Sequence, residues 1–116
     1  MRAFDALLIH PFTISRRARI DDGRGGAPVT YTEIGTERGR IRPASSEERQ
    51  IAAQEGRQIS HVLYLRGGAD IGRGDQVEGA GLMVDVLAVR EPSRAGHHLE
   101  IDCRERQSEA EAEMTS

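Results

Sequence analysis

The chain has no tryptophan, only two tyrosines and two phenylalanines, and a single cysteine, Cys103. With so few aromatic faces it has no platform for stacking bases, which weighs against single-stranded nucleic-acid binding. A lone cysteine cannot make an internal disulfide, which fits a reducing compartment, and Cys103 reads as a small core residue. Long hydrophobic runs are also missing. "ALLI" at Ala6 to Ile9 is too short for a signal segment or a membrane span, so no export or membrane anchor is expected, and the chain reads as soluble and intracellular. The net charge of -3 shows no overall electrostatic grip on DNA or RNA.

At 116 residues the chain is the size of one domain with one core. With 37% hydrophobic residues and few aromatics, that core must be built from Ile, Leu, Val and Ala. From Pro11 to Ile20, residues Phe12, Ile14, Arg16, Ala18 and Ile20 alternate with Thr13, Ser15, Arg17 and Arg19, the period-2 pattern of a half-buried strand whose apolar face is broken only by Arg16. Turn formers fill Asp21 to Pro28, and Val29 to Ile34 resumes a β-branched strand, so the two read as a hairpin with a long tip. Gly39 to Arg42 reads as a further short strand ending at Pro43.

Helical chemistry follows. Ser45 with Glu48 three residues on forms a capping box, Glu47 and Glu48 lie at the positive end, and Gly56 stops a helix placed at about 46–55. Only Ile51, Ala52 and Ala53 can pack that helix on a sheet. Ile59 to Arg66 alternates Ile59, His61, Leu63 and Leu65 against Ser60, Val62, Tyr64 and Arg66, as a strand does. Leu82 to Arg90 and His97 to Arg106 read as a second hairpin, with Leu82, Val84, Val86 and Ala88 facing Leu99, Ile101 and Cys103 in the core. Asp85, Glu100, Asp102 and Arg104 are left on the outer faces, toward water or a partner.

About six strands with one inserted helix favour a mainly β fold, a small antiparallel β-barrel or sandwich with long loops, over any βαβ arrangement. Closing the sheet into a barrel would also remove its exposed edges. The expected organisation is a barrel domain over 1–106, with a flexible tip at 21–28, and an acidic, disordered tail over 107–116.

The stretch "YLRGGADIGRGDQVEG", Tyr64 to Gly79, raises three functional readings. It is no Walker loop, because the Gly-Lys-Ser/Thr ending is missing and the region has no lysine. As a dinucleotide fingerprint it fails too, because Gly72-x-Gly74 lacks the third glycine, the following helix and a later acidic partner. The Arg73-Gly74-Asp75 spelling of an adhesion motif has no signal peptide or disulfide framework behind it. The remaining reading is a tight turn between barrel strands, with Ile71 pointing inward, Gly72 and Gly74 permitting positive φ, and Asp75 bonding backbone amides just before a strand starts at Gln76. Gly67, Gly68, Gly79 and Gly81 would be bends or bulges at strand ends.

His61, His97 and His98 invite a metal hypothesis with Asp85 or Asp102, but adjacent His97 and His98 would point to opposite faces of a strand. No nucleophile stands beside a base and an orienting acid. No catalytic, cofactor-binding or metal-binding residue is therefore expected, and no enzyme. The unusual excess is in arginine: Arg16, Arg17, Arg19, Arg38, Arg40 and Arg42 cluster in the first strands, while acids dominate the helix start and the tail. Such opposite patches suit a solvated exterior, or head-to-tail contact between identical copies.

The runs "LLIHPFTISRR", "GRIRPASSEE", "SHVLYLRGGADIGRGDQV" and "MVDVLAVREPSRAGHHLEIDCRE", in that order and spacing, resemble the phage head-tail joining family, the head closure or stopper proteins of tailed phages and gene transfer agents. The long tip at Asp21 to Pro28 and the acidic tail depart from it. The resemblance implies a small barrel that assembles as a homo-oligomeric ring, hexamer or dodecamer, between a portal/adaptor ring and a tail terminator or tail tube protein. Genome DNA would pass through the channel without sequence-specific binding, and a loop, either Asp21 to Pro28 or the excursion Pro43 to Gln58, would gate it. The protein would be found in host cytoplasm during assembly and then in the virion neck. Candidate interface or channel-loop residues are Arg24, Arg42, Glu47, Glu48, Arg49, Arg57, Arg66, Arg73 and Asp75. The alternatives are a small-barrel nucleic-acid-binding module, or a tail-completion protein at the same junction.

Overall fold

A computed structural model describes residues 10–19, 29–92 and 97–106. Six strands and one helix follow in the order β1 (His10–Arg19), β2 (Val29–Pro43), α1 (Ser46–Gln54), β3 (His61–Arg66), β4 (Gln76–Gly79), β5 (Leu82–Arg90) and β6 (His98–Glu105). All the strand pairs are antiparallel, and they close into a barrel in the order β1-β2-β3-β6-β5-β4, with β4 returning to β1. The mainly β barrel expected from the strand pattern is what forms. Closure leaves no unpaired sheet edge among these strands, an economical arrangement for a chain with one small core.

The strand interiors supply that core. Phe12, Ile14, Leu63, Leu65, Val77, Val84, Val86, Leu99, Ile101 and Cys103 are buried together inside the barrel, with Ile41, Ala69, Ile71 and Leu82 packed around them. A second, smaller cluster of Ala44, Ala52, Ile59 and Val62 sits outside the barrel wall, where α1 covers β3. β3 is therefore buried on both sides: Leu63 and Leu65 face the interior, and Val62 faces the helix seam with no exposure.

Four expectations change in detail. The two short strands expected at 29–34 and 39–42 are one strand of 15 residues, β2, which pairs with β1 along its first part and with β3 along its last. The Ala88 expected beside Val86 in the core is turned by a β-bulge between Val86 and Ala88, after which Val89 takes the register opposite Ile101 and Leu87 packs toward the second cluster. On α1 only Ala52 is buried, while Ile51 is 51% exposed and Ala53 is exposed. Finally, the turn expected at 67–75 does link two barrel strands, but β3 and β4 are not neighbours in the sheet, so the segment crosses from β3 to reach β4 beside β1. The tip at 21–28 and the tail at 107–116 lie outside the described residues.

Two glycines are required by close approach. A Cβ on Gly39 would come within 2.6 Å of Leu65 and 2.7 Å of the Tyr64 carbonyl, and one on Gly79 within 2.5 Å of the Phe12 ring and 2.6 Å of the Pro11 carbonyl. The Phe12 ring thus fills the barrel end because both flanking positions lack a side chain.

Candidate functional site

The arginine-rich strands turn out to hold the molecule's outer parts onto its barrel. Arg16 lies one step past the Ser15–Gln76 pair, on the same face of β1 as Ile14, and so meets Asp75. Its Nε donates to Asp75 Oδ1 at 3.1 Å and its Nη2 to Asp75 Oδ2 at 2.9 Å and to Asp70 Oδ1 at 3.0 Å. Asp75 is 3% exposed and also accepts from the Gly72 N–H at 2.8 Å. The expected role of Asp75 as acceptor of a backbone amide is thus seen. The turn uses positive φ at Gly74 (φ 93°) and not at Gly72. Hydrogen bonds donated to Asp75 and then to Asp70 raise the Arg16 pKa above its ordinary value, so the buried Asp75 carboxylate always faces a cation.

A second constellation fixes α1. Ser45 caps the helix, its Oγ accepting from Glu48 N at 3.1 Å while Ser45 N donates to Glu48 Oε1 at 2.9 Å, the capping box read from the sequence. The same Glu48 takes a bidentate bond from Arg42 on β2, Nη1 to Oε1 at 2.7 Å and Nη2 to Oε2 at 2.8 Å. Arg42 also donates from Nε and Nη2 to Tyr64 Oη, at 3.1 and 2.8 Å. Arg42, then the Ser45 amide, pull Glu48 down to about 2, so it is ionised at any ordinary pH.

A third lies where the helix's C-terminal side meets the barrel wall. Asp102 on β6 is 4% exposed and accepts from Arg90 Nη2 at 2.7 Å and Arg57 Nη2 at 3.4 Å. The outward-facing Asp102 was expected to meet water or a partner; its partner lies within the chain, because the segment after α1 lays Arg57 over that face of the sheet. Burial lowers the Arg90 pKa, but the Asp102 bond and the Asp102, Glu100 and Glu48 charges together outweigh it and the net direction is up. Arg57 Nε is buried with no hydrogen-bond partner among the described residues, beside a cavity of about 100 Å³ under α1.

Of the candidate residues named from the sequence, Arg42, Glu48, Arg57 and Asp75 are engaged in these three constellations. Arg66 makes a bidentate pair with Glu37 at 2.8 and 3.0 Å. Glu47, Arg49 and Arg73 are exposed, with no ion pair among the described residues, and Arg24 lies outside them. The candidates therefore do not converge on one site. Among the described residues no group of three or more His, Cys, Asp or Glu could hold a metal ion. His98 pairs instead with Glu100 at 3.3 Å, and His61 Nδ1 with Ser60 Oγ at 2.9 Å. Cys103 has no exposure, and its thiol is pushed up to about 12, first by burial and then by the Asp102 and Asp85 carboxylates, so it is an inert core residue.

Sequence reasoning passed over one feature. A cleft of about 380 Å³ opens at the β4–β5 hairpin, with Glu78 and Glu105 on its walls and Leu82 and Met83 at its base. Period-2 alternation on β4 puts Glu78 outward, but only the closed barrel brings it to the same cleft as Glu105.

The described residues thus form a closed six-stranded barrel with a helix latched to its wall. Residues 6–106 match the family model described as phage head completion protein, nearly the whole chain. The chain belongs to that family. No curated protein matches it. Its fold is similar to the solution structure of protein SF1141 from Shigella flexneri 2a, with a TM-score of 0.71 and 23% identity over 90% of this chain and 96% of that one. It is also similar to a chain in the virion of a native gene transfer agent particle, with a TM-score of 0.58 and 21% identity over 84% of this chain and 94% of that one.

Proposed function

We propose that this chain is a neck component of a phage-like particle. In this reading copies form a ring between the portal/adaptor connector and the tail, and the ring is both conduit and gate for genome DNA. The observation that carries the reading is the family match over 6–106, joined to a barrel in which the buried charges are compensated within the chain. A channel component should not grip its cargo. A net charge of -3, with Arg16, Arg42, Arg57, Arg66, Arg90 and Arg106 already held by carboxylates of the same chain, weakens any grip on passing DNA by counterion release.

The gating element we favour is the excursion 44–58 with α1. It buries few side chains and is held to the barrel by the Arg42–Glu48 pair and by Arg57 on Asp102, so it can be displaced without opening the core. Glu47, Arg49 and the exposed Ile51 on α1, with Arg73 between β3 and β4, are then surfaces offered to neighbouring rings. Assembly would take place in the host cytoplasm, ending in the virion.

Cryo-electron microscopy of the assembled particle tests this directly. The barrel is expected as a ring of density around the channel between head and tail. A map placing it elsewhere, or as a single copy off the channel wall, would sink the reading.

A further inference from the structure

Counting off the charges already paired within the chain leaves a pattern around the barrel. On β2, Arg38 and Arg40 are exposed and make no ion pair among the described residues, while their neighbours Arg42 and Arg66 are held by Glu48 and Glu37. The cleft at the β4–β5 hairpin has the opposite character. Glu78 and Glu105 are exposed there without an ion pair among the described residues, and Arg106, also on its wall, is tied to Asp85 at 2.9 Å and lies 5.7 Å over the Tyr31 ring. Glu78 on β4 and Glu105 on β6 each lie two strands from β2, the first across β1 and the second across β3.

We infer that Arg38 and Arg40 of one copy dock into the Glu78–Glu105 cleft of the next. This rests on the ring reading above and names the surfaces it would use. An exposed basic row on one strand and an acidic cleft on others are distinct surfaces, and joining the first on one copy to the second on the next makes a heterologous, head-to-tail contact, the kind that closes into a ring when the rotation fits. Leu82 and Met83 give the arginine stems an apolar bed while the guanidinium groups reach the carboxylates. Two charges facing two charges also set direction, since a β2 face against another β2 face would repel.

The test uses two full-length variants, Arg38→Glu/Arg40→Glu and Glu78→Arg/Glu105→Arg, followed by sedimentation velocity at low salt. Each variant alone is expected to self-associate about 100-fold more weakly than the wild type, and a mixture of the two is expected to recover association, because each supplies the face the other needs. A cysteine pair, Arg40→Cys with Glu78→Cys, built into the assembled particle should give a ladder of cross-linked copies, with buried Cys103 as a silent background. If the wild type stays monomeric in solution, the particle cross-link decides. Multiple copies in the particle with no cross-link, or reversals that leave association unchanged, overturn the docking faces but leave the ring standing. A single copy per particle overturns both.

Discussion

The inside of the barrel and the seam under α1 are built on different physics. Inside, ten buried residues from five of the six strands pack together, β2 adding only the partly buried Ile41, and every one of the ten is apolar or a neutral thiol. At the seam the buried apolar residues are Ala44, Ala52, Ile59 and Val62, and the helix is tied to the barrel by charged hydrogen bonds, Arg42 to Glu48 on one side and, just past its end, Arg57 to the buried Asp102 that Arg90 also holds. The first arrangement is cooperative and non-directional, so it resists local opening. The second depends on a few directed contacts, and a partner or a change in pH that breaks them can release the helix while the barrel stays folded.

Substitutions can separate the two regions. Leu63→Ala, inside the barrel at 0% exposure, is expected to cost about 2–5 kcal/mol of global stability in urea unfolding. A loss under about 1 kcal/mol would mean that the interior is less tightly packed than the burial implies. Gly79→Ala drives a methyl into the Phe12 ring and the Pro11 carbonyl, and should cost about 1–3 kcal/mol in the same measurement. At the seam, Asp102→Ala leaves Arg57 and Arg90 without their shared carboxylate. Because both arginines are partly exposed, the expected loss is about 1–2 kcal/mol, read as faster amide exchange in α1 and β6.

Glu48→Gln should be milder, about 1 kcal/mol at neutral pH, with exchange rising in α1 and not in β3 or β6. The pH dependence carries a definite sign. Folded Glu48 is depressed to about 2 from its ordinary 4.5, so its contribution is fully present above about pH 4.5 and fades as pH falls toward 2. Wild type and Glu48→Gln are therefore expected to draw together in helix protection as pH falls from about 4.5 and to converge near pH 2, and a constant gap across that window would show that Arg42 is not what holds the helix. The smallest effect belongs to Ile51→Ser. With Ile51 51% exposed, a change within about 0.5 kcal/mol is expected, and a larger one in the isolated protein would reveal apolar packing at the seam.

Legibility in the sequence follows the range of the interactions. The capping box at Ser45 and Glu48 spans three residues, and the helix it announces is present within one residue of its expected end. Alternation in β3, β5 and β6 identified the inward Leu63, Leu65, Val84, Val86, Leu99, Ile101 and Cys103, because a period of two is a local property of the strand. The bulge between Val86 and Ala88 was invisible, since its cause lies in the partner strand and no residue type marks it. Alternation also puts Asp102 on the outer face, where it is, but only the fold lays Arg57 over that face and buries it. The candidate site residues shared the same blind spot, as arginines counted as available for partners found carboxylates 6, 29, 45 and 59 positions away in their own chain.

By itself, then, the sequence determined which segments are strands, where the one helix begins, which side chains are apolar enough to be inside, and that Asp75 bonds a backbone amide ahead of β4. These follow from periodicity, capping and turn chemistry, all of which act within a few residues. Only the tertiary structure decided that β4 closes onto β1, that 67–75 links strands that are not neighbours, and that Arg16, Arg42 and Arg57 are internal ties while Arg38 and Arg40 remain on the surface. Those outcomes depend on which distant residues meet once a sheet curls and seals, and pairing across a closed barrel is set by the geometry of all six strands together.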